Sequence, residues 1–163
     1  MSSKFKIWLF IVMVVFPVLL ISATASVSFE RSKSVQFCGS CHVMEPYVND
    51  LHDPASENLA AKHYQHRFIN QNQCYICHVN YDFLGPVDSK LRGLRHMAAY
   101  YSGSTKPIAL YKPFPNGNCL YCHQDTQKYK ESPTHIPMLD QIAADEITCA
   151  SCHGPIHPQG GAR

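Results

Sequence analysis

From Ile7 to Ile21 the chain is apolar without interruption. Lys4 and Lys6 precede this run, and Ser22, Thr24, Ser26 and Ser28 dilute it toward Phe29. A membrane-spanning helix needs about 20 residues, and Ile7–Phe29 supplies them. Its hydroxyl side chains can bond to carbonyls of their own helix, and Pro17 predicts a kink. Past residue 30 the periodicity changes. The stretch "DPASENLAAKHYQHRF" predicts a helix, with Asp53 as cap and Pro54 in the first turn. "PVDSKLRGLRHMAAYYSG" predicts the clearest helix, with Val87, Leu91, Leu94, Ala98 and Tyr101 as its apolar stripe and Gly103 as its stop. "STKPIALYKPFPNGN" reads as loop because of its three prolines and an Asn-Gly turn. "QDTQKYKE" and "PMLDQIAADE" read as short helices flanking Pro133.

The lysines before the apolar run favour a cytoplasmic N-terminus and put the rest of the chain across the membrane. Residues 1–29 then form a transmembrane anchor and residues 30–163 an extracytoplasmic domain. The rival is a signal peptide cleaved after Ala25, since "ATA" at 23–25 has the small-x-small pattern of a cleavage site.

Composition sharpens the picture. Of 163 residues 45% are hydrophobic, yet much of that share lies in the N-terminal run. The remainder is rich in proline and tyrosine and poor in aliphatic clusters, too little to bury a stable core unaided. A formal charge of +2 with scattered Lys and Arg excludes a nucleic-acid binder.

The eight cysteines stand at 38, 41, 74, 77, 119, 122, 149 and 152, always as C-x-x-C followed by histidine: "CGSCH", "CYICH", "CLYCH" and "CASCH". A disulfide framework leaves His42, His78, His123 and His153 unexplained, and two four-cysteine zinc sites do the same. C-x-x-C-H is the attachment signature of c-type haem. Two thiols three positions apart on one helical turn each form a thioether to the porphyrin edge, and the next residue turns its imidazole under the iron. Cys38, Cys41, Cys74, Cys77, Cys119, Cys122, Cys149 and Cys152 are therefore the expected anchors of four covalent haems, with the four motif histidines as proximal ligands. The fold class expected is mainly α with much irregular loop, a multihaem cytochrome c wrapped around its porphyrins. First cysteines are separated by 36, 45 and 30 residues, too irregular for a solenoid. Cys38 follows the anchor so soon that the first haem belongs near the membrane surface.

Histidines 52, 63, 66, 96, 135 and 157 lie outside the motifs and are candidate distal ligands. His63 and His66 compete on one predicted helix face. His157 follows its own motif too closely to reach the same iron and suits a neighbouring haem. His52 and His135 complete the set, and His52 also reads as plain surface. Met44 is a candidate thioether ligand, which raises the potential of a haem, or else a packing residue.

In "CGSCHVMEPY", "CYICHVNYDF", "SKLRGLRHMAAYYSG", "NCLYCH" and "TCASCHGPIH" the chain resembles the NapC/NirT family of membrane-anchored tetrahaem cytochromes, nearest to the branch that partners periplasmic nitrite reductase. That resemblance implies a single-pass protein of the cytoplasmic membrane, N-terminus inside and haem domain in the periplasm. It implies oxidation of quinol from the membrane pool and delivery of electrons to a periplasmic reductase in a hetero-oligomeric complex. Return of electrons from a periplasmic oxidase to quinone is the reverse reading, and a soluble periplasmic shuttle is the reading that goes with cleavage after Ala25. The resemblance also implies ligands: Met44 rather than His42 on the first iron, Lys90 on the second, His157 on the third, and His63 or His66 on the fourth.

Quinol oxidation releases protons, so the site needs a base. An acidic residue expected on the helix after the second motif is not evident; "LRGLRHM" offers Arg92, Arg95, His96 and Met97. Lys90, His96, Glu45 and Asp50 are the candidate bases, and His96 is alternatively a ligand to the first iron. A catalytic oxyanion reductase is disfavoured because no motif replaces its histidine by lysine.

Overall fold

The computed structural model describes residues 2–69, 71–103 and 114–158. Among them there is helix and loop but no strand. The expected loop at 104–118 lies largely outside the described residues.

Helix α1 runs from Ser3 to Arg31, longer at both ends than the apolar pattern predicts. It is the one helix among the described residues long and apolar enough to cross a membrane, with a mean hydropathy of 2.6 and no part of it buried. Pro17 has no N–H to continue the ladder. The helix absorbs this with a π-turn at Ile11–Val15, where the Phe16 N–H reaches back to the Ile11 carbonyl. Thr24 and Ser26 donate to the carbonyls of Leu20 and Ser22 at 2.8 and 2.9 Å, so their hydroxyls are satisfied within the helix.

Short helices follow: α2 Val35–Cys38, α3 Glu45–His52, α4 Leu59–Gln65 and α5 Gln73–His78. Then come the long α6 Gly85–Tyr101, α7 Asn116–His123, α8 Gln127–Lys130, α9 Leu139–Ala143 and α10 Cys149–His153. Helix α6 starts one residue before the predicted Pro86, because a Cβ at position 85 would collide with the Asn80 carbonyl and only glycine lets the chain approach so closely. Gly103 ends the segment at φ +74°, the left-handed conformation of a helix stop.

The helix expected from Asp53 begins only at Leu59. Asp53 instead caps a turn by accepting from the Ala55 N–H at 2.9 Å. The first free N–H groups of α4, those of Leu59 and Ala60, are taken by the carbonyls of Pro155 and Ile156. A segment from the far end of the chain thus sets where α4 starts, and local propensity does not.

The polypeptide buries few apolar side chains of its own: Val35, Leu51, Ala60, Ala61, Val79 and Ile142 among the described residues. Polar clamps join the parts. Gln73 is buried and donates to the Ala60 carbonyl, and Asn118 donates to the Cys77 carbonyl at 2.8 Å. Asn116 is 2% exposed. Its amide donates to the carbonyls of Ile142 and Ile147 at 2.8 and 2.6 Å, and its oxygen accepts from the Cys149 N–H at 2.9 Å. Far from being a loop turn, Asn116–Gly117 opens α7 and ties the third motif to the fourth. Asn116→Ala leaves these buried partners unsatisfied and should cost about 3 kcal/mol. A guanidinium titration should show the lowered midpoint; an unchanged midpoint refutes the clamp.

Candidate haem centres

Motifs two, three and four share a backbone. Each runs as unbroken helix through its histidine: Gln73–His78, Asn116–His123 and Cys149–His153. The first motif does not. Its helix ends at Cys38, Cys41 is extended (φ −92°, ψ 126°), and a separate 3-10 turn carries His42–Met44. His42 accordingly points out, with its side chain 86% exposed and its Nδ1 2.9 Å from the Glu45 carboxylate. Met44 is half-buried, its N–H bonded to the Cys41 carbonyl at 2.9 Å.

The other three motif histidines each meet a histidine from elsewhere. His78 and His157 stand 6.0 Å apart, centre to centre, and nearly parallel at 11°. His123 and His63 are 6.1 Å apart at 89°, and His153 and His135 are 6.0 Å apart at 53°. A metal–imidazole bond is about 2.0 Å and the ring centre lies about 1.1 Å behind its nitrogen, so two imidazoles across one iron have centres about 6 Å apart. All three pairs have that separation, and the donor set therefore fits haem iron held from both faces.

Surroundings fix the distal rings. His63 Nδ1 donates to the Leu59 carbonyl at 2.7 Å, and His135 Nδ1 to the Tyr129 carbonyl at 3.2 Å. Ligating histidines are usually oriented in this way. Displacement of water by the surrounding chain, with the His157 and Arg92 charges, holds the His78 pKa far below the ordinary imidazole value. The His78 residue is nonetheless exposed at the surface. Burial lowers the pKa of His157, with Asp50 opposing, and also that of His123, with His63 and His153 adding to the effect. These rings are neutral near pH 7, the form a metal needs.

The motifs form a row. Motif one packs against motif two through α2 and α5, and Asn116 ties motif three to motif four. Between these pairs, Tyr81 and Tyr121 stack at 3.6 Å, joining the segment after motif two to motif three. None of the eight cysteines is in a disulfide, and no group of three or more His, Cys, Asp or Glu converges among the described residues, as a zinc site requires.

The ring 6.0 Å from His78 is that of His157, while Lys90 lies near the C-terminal end of α1. Its ammonium donates to the Ser32 carbonyl at 2.9 Å and lies 5.2 and 4.9 Å from the ring centres of Phe29 and Tyr75. Burial, aided by Lys33, lowers the Lys90 pKa against the pull of Cys38 and Glu30. Lys90 thus ties α6 to the outer end of α1, beside the first motif. His157 lies against the second motif and His63 against the third, one motif earlier in each case than the resemblance implies. His66 tilts on Phe68 at 5.6 Å, His52 meets Tyr64 at 4.9 Å, and His96 is exposed on α6. The acid on α6 is Asp88, in the first turn of the helix and 2.7 Å from Arg92, ahead of the Arg92–Met97 stretch.

Residues 1–159 match the NapC/NirT cytochrome c family, N-terminal region. One similar curated protein is the cytochrome c-type protein NapC of Haemophilus influenzae, 24% identical over 147 residues, covering 80% of this chain and 70% of the relative. No solved structure gives a significant match.

Proposed function

This chain belongs to the NapC/NirT cytochrome c family, and from that premise we propose that it is a membrane-anchored tetrahaem quinol dehydrogenase subunit delivering electrons to a periplasmic reductase, nitrite reductase being one candidate. Covalent haem c follows from the family. The bound haems would supply one-electron chemistry, and the chain would set their potentials through axial ligands and burial.

Three imidazole pairs at 6.0–6.1 Å carry the proposal. His157 would hold the iron of the second motif with His78, His63 that of the third with His123, and His135 that of the fourth with His153. Met44 serves the first motif in place of His42. The broken helix there supports this choice, because it turns His42 outward and holds Met44 inward. The order of contacts, from α1 through the first motif to the fourth, gives electrons a continuous route away from the bilayer. Lys90 lies at the C-terminal end of α1, and burial, which favours its neutral amine, makes that amine the first candidate to receive a quinol proton, with His96 second. The acceptor would dock at the far end, near the fourth motif.

Met44→His should lower the potential of the first haem by on the order of 100 mV, a small part of the roughly 0.8 V that axial ligands span. A spectroelectrochemical titration in which none of the haem waves moves would remove Met44 from the ligand set.

A further inference from the structure

Two of the three distal histidines have their Nδ1 bonded to a backbone carbonyl; His157 does not. Its Nδ1 is buried and has no hydrogen-bond partner. A second buried atom nearby is equally unmatched: Oδ2 of Asp50. Buried polar atoms without partners are rare and call for a reason.

Local packing brings the two side chains together. Asp50 is on α3, and Tyr47, one turn earlier on the same helix, sets its ring edge-on to His157 at 5.3 Å. Oδ1 of Asp50 is committed, accepting from the Ser56 hydroxyl at 2.6 Å and the Asn58 amide at 2.8 Å. Asn58 immediately precedes α4, whose first N–H groups hold the carbonyls of Pro155 and Ile156, the two residues before His157. Helix α3 and the segment carrying His157 are thus held together through Asn58 and α4, and each carries one unmatched buried polar atom. The Asp50 charge acts on His157.

We propose that Asp50 is the positioning residue for the His78/His157 haem, its Oδ2 accepting the His157 Nδ1–H directly or through one water when Nε2 is on iron. This rests on His157 being a distal ligand and adds what orients and tunes it. A carboxylate on the outer nitrogen makes the imidazole a stronger donor and favours the ferric state. The other two distal rings have only neutral carbonyls there, so this haem becomes the lower-potential member of the three.

The test is a redox titration of the full-length holoprotein in detergent, with EPR of the ferric haems. His157→Met first marks the wave and the low-spin signal belonging to this haem. Asp50→Asn keeps Oδ1 as an acceptor for Ser56 and Asn58 but removes the charge. It should shift the oxidised-to-reduced ratio of the marked haem about tenfold toward reduced at fixed potential, a 59 mV rise for one electron. The g values of the same signal should change, the other haems should stay in place, and Asp50→Glu should restore the wild-type position. If His157→Met moves one wave and Asp50→Asn leaves that wave and its g values unchanged, Asp50 has no such role, although the ligand assignment stands. If His157→Met moves nothing, the ligand assignment itself fails and takes the Asp50 role with it.

Discussion

Replacing residues 1–31 with a cleavable export leader should release the haem domain into the soluble fraction and cut its reduction by membrane quinol more than about a hundredfold. Helix α1 is 29 residues long and its most apolar 18-residue window has no buried residue, so that surface has no partner among the described residues. A spanning helix holds a domain at the bilayer almost irreversibly, whereas weaker anchors bind reversibly. Confinement raises the effective concentration of a lipid-soluble donor, and losing it costs on the order of 10²–10⁴ in such encounters. The anchor also orients. Lys90 grips the carbonyl of Ser32, just past the last helical residue, so the first motif is held at the outer end of α1. Reduction by dithionite should be unaffected, because small soluble reductants need no anchor. The quantities to measure are the detergent dependence of extraction and the stopped-flow rate of haem reduction by a menaquinol analogue. An unchanged quinol rate in the released domain would sink the anchored reading. A mature N-terminus at Ser26 by mass spectrometry would favour the shuttle.

His63→Ala should convert the third-motif haem from six-coordinate low-spin to a high-spin centre that binds carbon monoxide, while His66→Ala and His96→Ala should leave the haems of motifs two, three and four low-spin. His63 and His66 are nearly equivalent on a helical wheel. The structure separates them because α4 ends at Gln65 and His66 leaves the helical conformation as its cap. His63 is fixed on the Leu59 carbonyl and faces His123, whereas His66 turns to Phe68. Room-temperature absorption with and without carbon monoxide, and EPR near g = 6, would read the outcome. High-spin haem in the His66 variant, with His63→Ala silent, would reverse the assignment.

The chemistry of attachment was legible in one dimension because it is local: a thioether pair and its proximal imidazole sit within five residues, and the helical turn that aligns them is short-range. The anchor was legible for a similar reason, since an apolar run of that length has few other uses. Helix α6 was legible from its spacing and its glycine stop. The pairing of distal ligands was not, because it joins residues far apart in the chain, such as His78 with His157 and His63 with His123. Nor were the late start of α4, the break in the first motif, or the clamp at Asn116, where backbone groups from distant segments outweigh local preference. Sequence alone pointed to the cysteine pairs as porphyrin sites and to the N-terminal run as the membrane segment. Only the packing of α3, α4 and the C-terminal segment decided which imidazole faces which, because that choice depends on long-range contacts.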